Sequence, residues 1–147
     1  MNADALVAAL DLAPHPEGGW YRETWRAATP AGTRAGGTAI LFLLKAGERS
    51  HWHRVDADEL WLWQAGAPLI LETAAADAGP VVATRLGGAV LDGEMLQHVV
   101  PARAWQAAVS TGAWTLVSCV VIPGFDFAGF ELAPPGWAPG TPPSRSP

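Results

Sequence analysis

The residues best equipped for chemistry lie between Gly47 and Glu59, in the stretch GERSHWHRVDADE. His51 and His53 are two positions apart, a spacing that on a β-strand sends both imidazoles to one face. Glu59 opens the next apolar run, so a hairpin would bring its carboxylate beside them. Two imidazoles and a carboxylate are a familiar ligand set for Zn, Fe, Mn or Ni. In the absence of a metal, His53 and Glu59 form a base and its orienting partner for proton transfer. His98, just before Val99 and Val100, is a further imidazole that a facing strand could supply.

Tyr21 is the sole tyrosine of the chain. A phenol facing an imidazole across a ligand is the arrangement an epimerase needs: a base removes a proton alpha to a carbonyl, and an acid returns one on the other face. Arg22 and Arg54 carry the guanidinium fork that fits phosphate or carboxylate. Their bland alternative is a surface ion pair. Trp61 and Trp105 offer indole faces for stacking a ring, against core packing as the ordinary use of such side chains. Gln106 is polar within the apolar Trp105–Val109 run and needs a partner if it points inward. Ser50 precedes the histidine pair and joins the candidate ligand-binding set. Cys119, within an apolar run, reads as an inert core thiol.

These residues need elements to hold them. Residues 2–12 form one short helix, with Leu6, Val7 and Leu10 as its apolar stripe and Pro14 as its stop. His15-Pro16-Glu17-Gly18-Gly19 is a turn by composition. The period then changes to two. In Trp20–Arg26, alternation sets Trp20, Arg22, Thr24 and Arg26 against Tyr21, Glu23 and Trp25. Residues 27–37 read as a hairpin or loop. Thr38–Lys45 is a buried strand, followed by Glu59–Gln64, Pro68–Thr73, Val81–Leu86, Met95–Val100, Trp105–Val109 and Trp114–Ile122. Short strands with Gly, Pro and Asp between them predict an all-β sandwich or barrel. The Pro123–Phe127 turn closes the last long strand, and its aromatics pack. Residues 134–147 are a Pro/Gly tail that cannot form a regular ladder, expected to be extended and partly ordered.

Composition narrows the function classes. The chain has 147 residues with 9 Lys plus Arg against 14 Asp plus Glu, a net charge of −5. A nucleic acid or anionic membrane partner is therefore not expected. A single cysteine makes no internal disulfide. No apolar run is long enough to span a bilayer, and the first residues lack the basic start of a signal peptide, so a cytoplasmic location is expected.

Several stretches carry a family resemblance. Residues 47–66 resemble the first cupin motif, G-x5-H-x-H-x3-4-E-x6-G, with Glu59 and Gly66 matching its second half and one or two extra residues after His53. The second motif, P-x-G-x-x-H, falls at Pro101–Gln106, where Arg103 stands for the glycine and Gln106 for the third histidine. HPEGGWYRETW from His15, SHWHR from Ser50, DELW from Asp58, AGAPL from Ala65 and CVVIPGFDF from Cys119 are similar to the cupin-5 (DUF985) family. The resemblance runs from about residue 5 to about 132. It implies an all-β fold: a double-stranded β-helix, or jelly-roll, barrel with a short N-terminal helix, one domain over 1–133, an internal pocket and a homodimer. In shape, members are similar to sugar-nucleotide epimerases, an analogy of fold only.

Three functions follow. The first is a small-molecule-binding isomerase or epimerase on a carbohydrate or nucleotide-sugar, with His53 and Glu59 as base and Tyr21 as acid. The second is a metal-dependent dioxygenase or isomerase, with Zn, Fe, Mn or Ni held by His51, His53, Glu59 and Gln106. The third is a non-catalytic ligand-binding module.

Overall fold

The computed structural model describes residues 2–142; the last part of the predicted tail, 143–147, lies outside the described residues. The helix α1 (Ala3–Ala9) is shorter than expected. Asn2 caps it by accepting the Asp4 amide at 2.7 Å, and it ends before Asp11, whose φ of 54° is left-handed. Eleven strands follow among the described residues: β1 (Ala13–Pro14), β2 (Trp20–Arg26), β3 (Thr38–Lys45), β4 (Arg49–Val55), β5 (Asp58–Gly66), β6 (Leu69–Ala74), β7 (Val82–Leu86), β8 (Gln97–Val100), β9 (Trp105–Ser110), β10 (Trp114–Ile122) and β11 (Phe130–Leu132).

The strands make two antiparallel sheets, ordered β1-β2-β3-β10-β5-β8 and β11-β4-β9-β6-β7, the jelly-roll form expected. Their inner faces meet in one apolar core. Phe42, Trp61, Val100, Val117 and Cys119 come from the first sheet; Leu69, Leu71, Leu86 and Ala108 come from the second. Each fully buried leucine contributes about 1.5–3 kcal/mol by leaving water.

Two irregularities decide where side chains point. The β2–β3 register shifts between Glu23 and Trp25, leaving Thr24 as an extra residue. The expected alternation therefore fails after Glu23. Glu23 and Arg26, three apart, share the inner side, and Arg26 clasps the Glu23 carboxylate with two bonds of 2.8 Å. The β4–β9 register likewise shifts between Ser50 and His53, a bulge that gives one strand an extra residue.

The outer face of the second sheet is also covered. Trp52, Trp105, Ala107 and Ala133 form a cluster there, packed by Trp137 and Ala138. The segment after β11 is thus turn-rich, and it is seated by Trp137 and Ala138 on this cluster and by the Gly140 amide, which donates to the Asp77 carbonyl at 2.7 Å. Its anchor is Trp137, whose ring lies 4.5 Å from that of Trp105.

Candidate functional site

A cavity of about 620 Å³ opens between the sheets beside the apolar core. Ile40, Val55, Val121 and three phenylalanines, Phe125, Phe127 and Phe130, form its apolar walls. Phe125 and Phe130 meet edge to face at 5.8 Å. Two guanidinium groups hold the loop that carries them: Arg26 donates to the Phe125 carbonyl at 3.1 Å and Arg34 to the Gly124 carbonyl at 2.7 Å. Arg34 is itself fixed by a two-bond pair with Asp56.

His15, Glu17, Tyr21, His53 and Glu59 are the titratable groups deepest in this space. β4 delivers His53. The bulge after Ser50 turns His51 to the outside, where its Nε2–H donates to the Pro134 carbonyl at 3.0 Å. Ser50 and His53 both point inward and are buried. The two imidazoles consequently do not share a face, contrary to the alternation argument; the extra residue in the strand breaks the period of two.

His53 does not pair with Glu59 by a hydrogen bond. Its Nδ1 lies 2.9 Å from Glu17 Oε2 and 2.7 Å from the His51 carbonyl. Both neighbours are acceptors, so Nδ1 carries a proton. Glu17 also accepts the Ser50 hydroxyl on Oε2. Gly18 makes this approach feasible: at φ 106° it lies so close to the Arg49 carbonyl that a Cβ would collide with it. The Glu17 carbonyl also accepts the His51 amide at 2.8 Å.

Glu59 bonds elsewhere. Gln106 Nε2 donates to its Oε1 at 2.8 Å, and Trp61 Nε1 donates to Gln106 Oε1 at 2.7 Å. The Cys119 thiol also bonds to this carboxylate. Asp58 is exposed and caps the Ala102 amide at 2.9 Å, so Glu59 rather than Asp58 faces the cavity.

Burial moves these groups in different directions. For His53, burial opposes the charged ring, but the Glu17 carboxylate, through charge and hydrogen bond, outweighs it and raises the pKa to about 9. For Glu17, burial opposes ionisation, and His53 again outweighs it, holding the carboxyl below its ordinary value. Burial, with the neighbouring Glu17 charge, pushes Glu59 up, and it pushes the Cys119 thiol up as well. Burial lowers His15, whose Nδ1 carries no proton because it accepts the Glu17 amide at 3.1 Å. Its 3.2 Å contact with Glu17 Oε1 is therefore not an ion pair. The floor of the cavity thus holds a charged imidazole beside an ionised carboxylate, with a second carboxyl that resists ionisation.

The other sequence-derived candidates are distributed around this floor. Tyr21 lines the cavity from the opposite sheet, its ring 4.5 Å from His15. Arg22 borders the cavity, although its register with Leu41 places it on the outer side of β2. Ser50, Gln106 and Trp61 lie behind the floor, as partners of Glu17, Glu59 and Gln106 in turn. Arg54 and Trp105 are on the outer face of the second sheet, stacked at 4.4 Å. His98 stands opposite Trp61 in the β5–β8 ladder and does not line the cavity. Composition marks His15 and Glu17 only as turn residues. The available signal was a histidine and a glutamate set in a turn with two glycines.

The metal ligand set proposed from the sequence does not fit. His51 faces away, and Gln106 presents its amide NH2, a donor, to Glu59. Among the described residues, no group of three His, Cys, Asp or Glu side chains could hold a metal ion. Arg103, which stands for the glycine of the second motif, keeps a glycine-like φ of 70° and donates its amide to Val55 at 2.7 Å.

The family description that matches residues 4–133 is Cupin superfamily (DUF985). The crystal structure of a Shewanella oneidensis protein is 37% identical, with a TM-score of 0.85 over 90% of this chain and 85% of that one. A hypothetical protein from Leishmania major is 34% identical, with a TM-score of 0.79 over 89% and 86%. Oxalate decarboxylase from Bacillus subtilis shares the fold at 13% identity, with a TM-score of 0.62 over 84% of this chain and 30% of that one. A search of the curated proteins found no match. No helix among the described residues is long and apolar enough to cross a membrane.

Proposed function

We propose, on the premise that this chain belongs to the DUF985 family of the cupin superfamily, that it binds a small molecule inside the barrel and isomerises or epimerises it. A carbohydrate or nucleotide-sugar is the substrate class. The supporting observation is that Tyr21 and His53, from facing sheets, line one cavity whose floor also holds Glu59. A ring held between them would meet a phenol on one side and a charged imidazole on the other, with the Glu59 carboxyl beside it as the base. A volume of about 620 Å³ falls in the usual range for small-ligand pockets, about 300–1,000 Å³.

In this reading Glu59 takes the proton alpha to the carbonyl, His53 supports the charge that develops on the carbonyl oxygen, and Tyr21, on the same sheet as Glu59 with two strands between them, returns a proton to the carbon. Resistance to ionisation brings Glu59 closer to neutral pH, where a general base works best. The protein acts as a cytoplasmic homodimer. Support for a second copy comes from an apolar row on the outer face of the first sheet: Trp25, Ala39, Val120, Leu60 and Val99 are cross-strand partners in sequence. Its two ends, Trp25 and Val99, are half exposed.

The experiment is incubation of the protein in D2O with a panel of nucleotide-sugars and free ketoses, read by mass spectrometry and proton NMR. Deuterium should enter a carbon next to a carbonyl. Glu59→Gln and Tyr21→Phe should each slow entry by about 10²-fold or more. Ligands that bind but never exchange would overturn the catalytic reading and leave a binding module.

A further inference from the structure

Glu17 is held by its main chain as well as by its side chain. Its amide donates to His15 Nδ1, its carbonyl accepts from the His51 amide, and its Oε2 receives the Ser50 hydroxyl. The next residue, Gly18, has no room for a side chain against the Arg49 carbonyl. A carboxylate fixed at so many points cannot follow a ligand. It imposes geometry on what it touches, and the cavity-lining ring that it meets by a short bond is His53, with Nδ1 at 2.9 Å. The His51 carbonyl, at 2.7 Å from the same nitrogen, imposes the same tautomer.

His53 Nε2 is the complement. Among the described residues it has no hydrogen-bond partner, no buried side-chain nitrogen or oxygen lacks one, and the ring lines the cavity. Nε2 is therefore open to the cavity.

Building on the proton-transfer reading above, we infer that Glu17 is the positioning residue of this site: it fixes the tautomer and orientation of His53, so that Nε2 is the atom that meets the ligand, while Glu59 remains a separate group. The step balances simply. When Nε2–H gives its proton to a ligand oxygen, imidazolium becomes the neutral Nδ1–H imidazole, Glu17 stays ionised, and reprotonation of Nε2 restores the start. No redox change or added reactant is involved.

NMR of the full chain with labelled histidine tests this without any ligand. The chain has four histidines, and His53→Asn assigns the signal. His53 should titrate well above 6.5, near 9, and in its neutral form it should carry the proton on Nδ1. Glu17→Gln should bring the midpoint down by about two pH units or more, whereas Ser50→Ala, which keeps the carboxylate, should leave it well above 6.5. A midpoint shifted by less than half a unit in folded Glu17→Gln, or an Nε2–H tautomer in the parent, would overturn the inference. Should Glu17→Gln not fold, the tautomer of the parent and Glu17→Asp decide the matter: the shorter carboxylate, drawn back from Nδ1, should lower the midpoint, and an unchanged midpoint in folded Glu17→Asp would overturn the inference. The outcome is separate from the proposed activity: a failed titration alongside deuterium exchange would mean that His53 works without Glu17, whereas the expected titration without exchange would leave an oriented histidine in a binding pocket.

Discussion

Strand β4 carries a histidine to each side of its sheet, and the two sides assemble similar parts into different objects. Inside, Trp61 donates to Gln106, Gln106 to Glu59, and His53 meets Glu17. Outside, Trp105 donates to Asp77 at 2.8 Å, Arg54 pairs with Glu131 at 2.6 Å and lies over the Trp105 ring, and His51 bonds a main-chain carbonyl. Both sides thus have an indole, carboxylates, a histidine and hydrogen bonds of ordinary length. The difference is water. Asp77 and Glu131 are 75% and 56% exposed, whereas Glu17 is 8% exposed. In water such pairs are screened and contribute little. Away from it, each charge depends on its partner, and removal of one strands the other. Residue type does not separate the two regions; the bulge at Ser50–His53 does, by choosing which histidine faces the dry side.

The widest contrast is between the two histidines. His53→Ala leaves the Glu17 carboxylate buried without its cation and should cost about 3–5 kcal/mol, measured by urea unfolding at neutral pH. His51→Ala removes a bond to an exposed carbonyl and should change stability by less than about 0.5 kcal/mol. Equal costs for the two substitutions would break the comparison.

The pH dependence of stability sharpens it. The folded pKa of His53 is raised, so the native state binds more protons than the unfolded chain between them. That stabilisation is fully present below about 6.5 and is lost as pH rises through about 9. A shift of this size corresponds to something on the order of 3 kcal/mol. Glu17 acts at the acid end with the opposite sign: its lowered pKa stabilises the fold above the ordinary carboxyl value, and that contribution is lost as pH falls through the folded value. Unfolding free energies taken from pH 6 to 10 should decline in the parent and in His51→Asn. In His53→Asn the decline over this window should flatten.

Much of the architecture was legible before the structure. Thr38–Lys45 and Trp114–Ile122 are strands with the bounds their apolar runs suggested, because Gly, Pro and charged residues punctuate them. The floor of the cavity was legible only in part. His53 and Glu59 stood out by type, but their separation into two hydrogen-bonded groups rests on cross-strand register, which no local composition encodes. A bulge is a property of two strands, and neither Ser50–His53 nor Glu23–Trp25 signals one by itself. Glu17 was hidden for a similar reason. Its turn was readable from His15–Gly19, but its depth depends on Gly18 lying against β4. The tail shows the same limit: Pro and Gly excluded a ladder, yet Trp137 finds an indole to pack on.

The indoles give the next step down. Trp61→Phe keeps a ring in the core but leaves Gln106 Oε1 without its donor in a place water does not reach. The cost should be about 2 kcal/mol, within the range for a stranded buried acceptor, with a change in any Glu59-dependent activity. Trp105→Phe removes a donor from Asp77, which water can replace, so the hydrogen bond should contribute less than about 1 kcal/mol.

Arg54 lies furthest from the cavity, and its effect is also small. Its pairs are with exposed carboxylates, and its contact with Trp105 is a cation lying over a ring at 4.4 Å. Such an ion pair is worth about 0.2–1 kcal/mol and is weakened by salt, and the ring contact adds roughly 0.5–1 kcal/mol at an exposed site. Arg54→Met keeps an apolar stem on the indole while removing the charge. It should lower stability by about 0.5–1 kcal/mol, and part of that loss should vanish in 1 M NaCl. Ligand binding and deuterium exchange should stay as they are, because the charge lies on the far side of the sheet from His53. If Arg54→Met altered binding in the barrel, the two faces of β4 would be coupled through the strand, and the division between a dry working side and a wet supporting side would have to be abandoned.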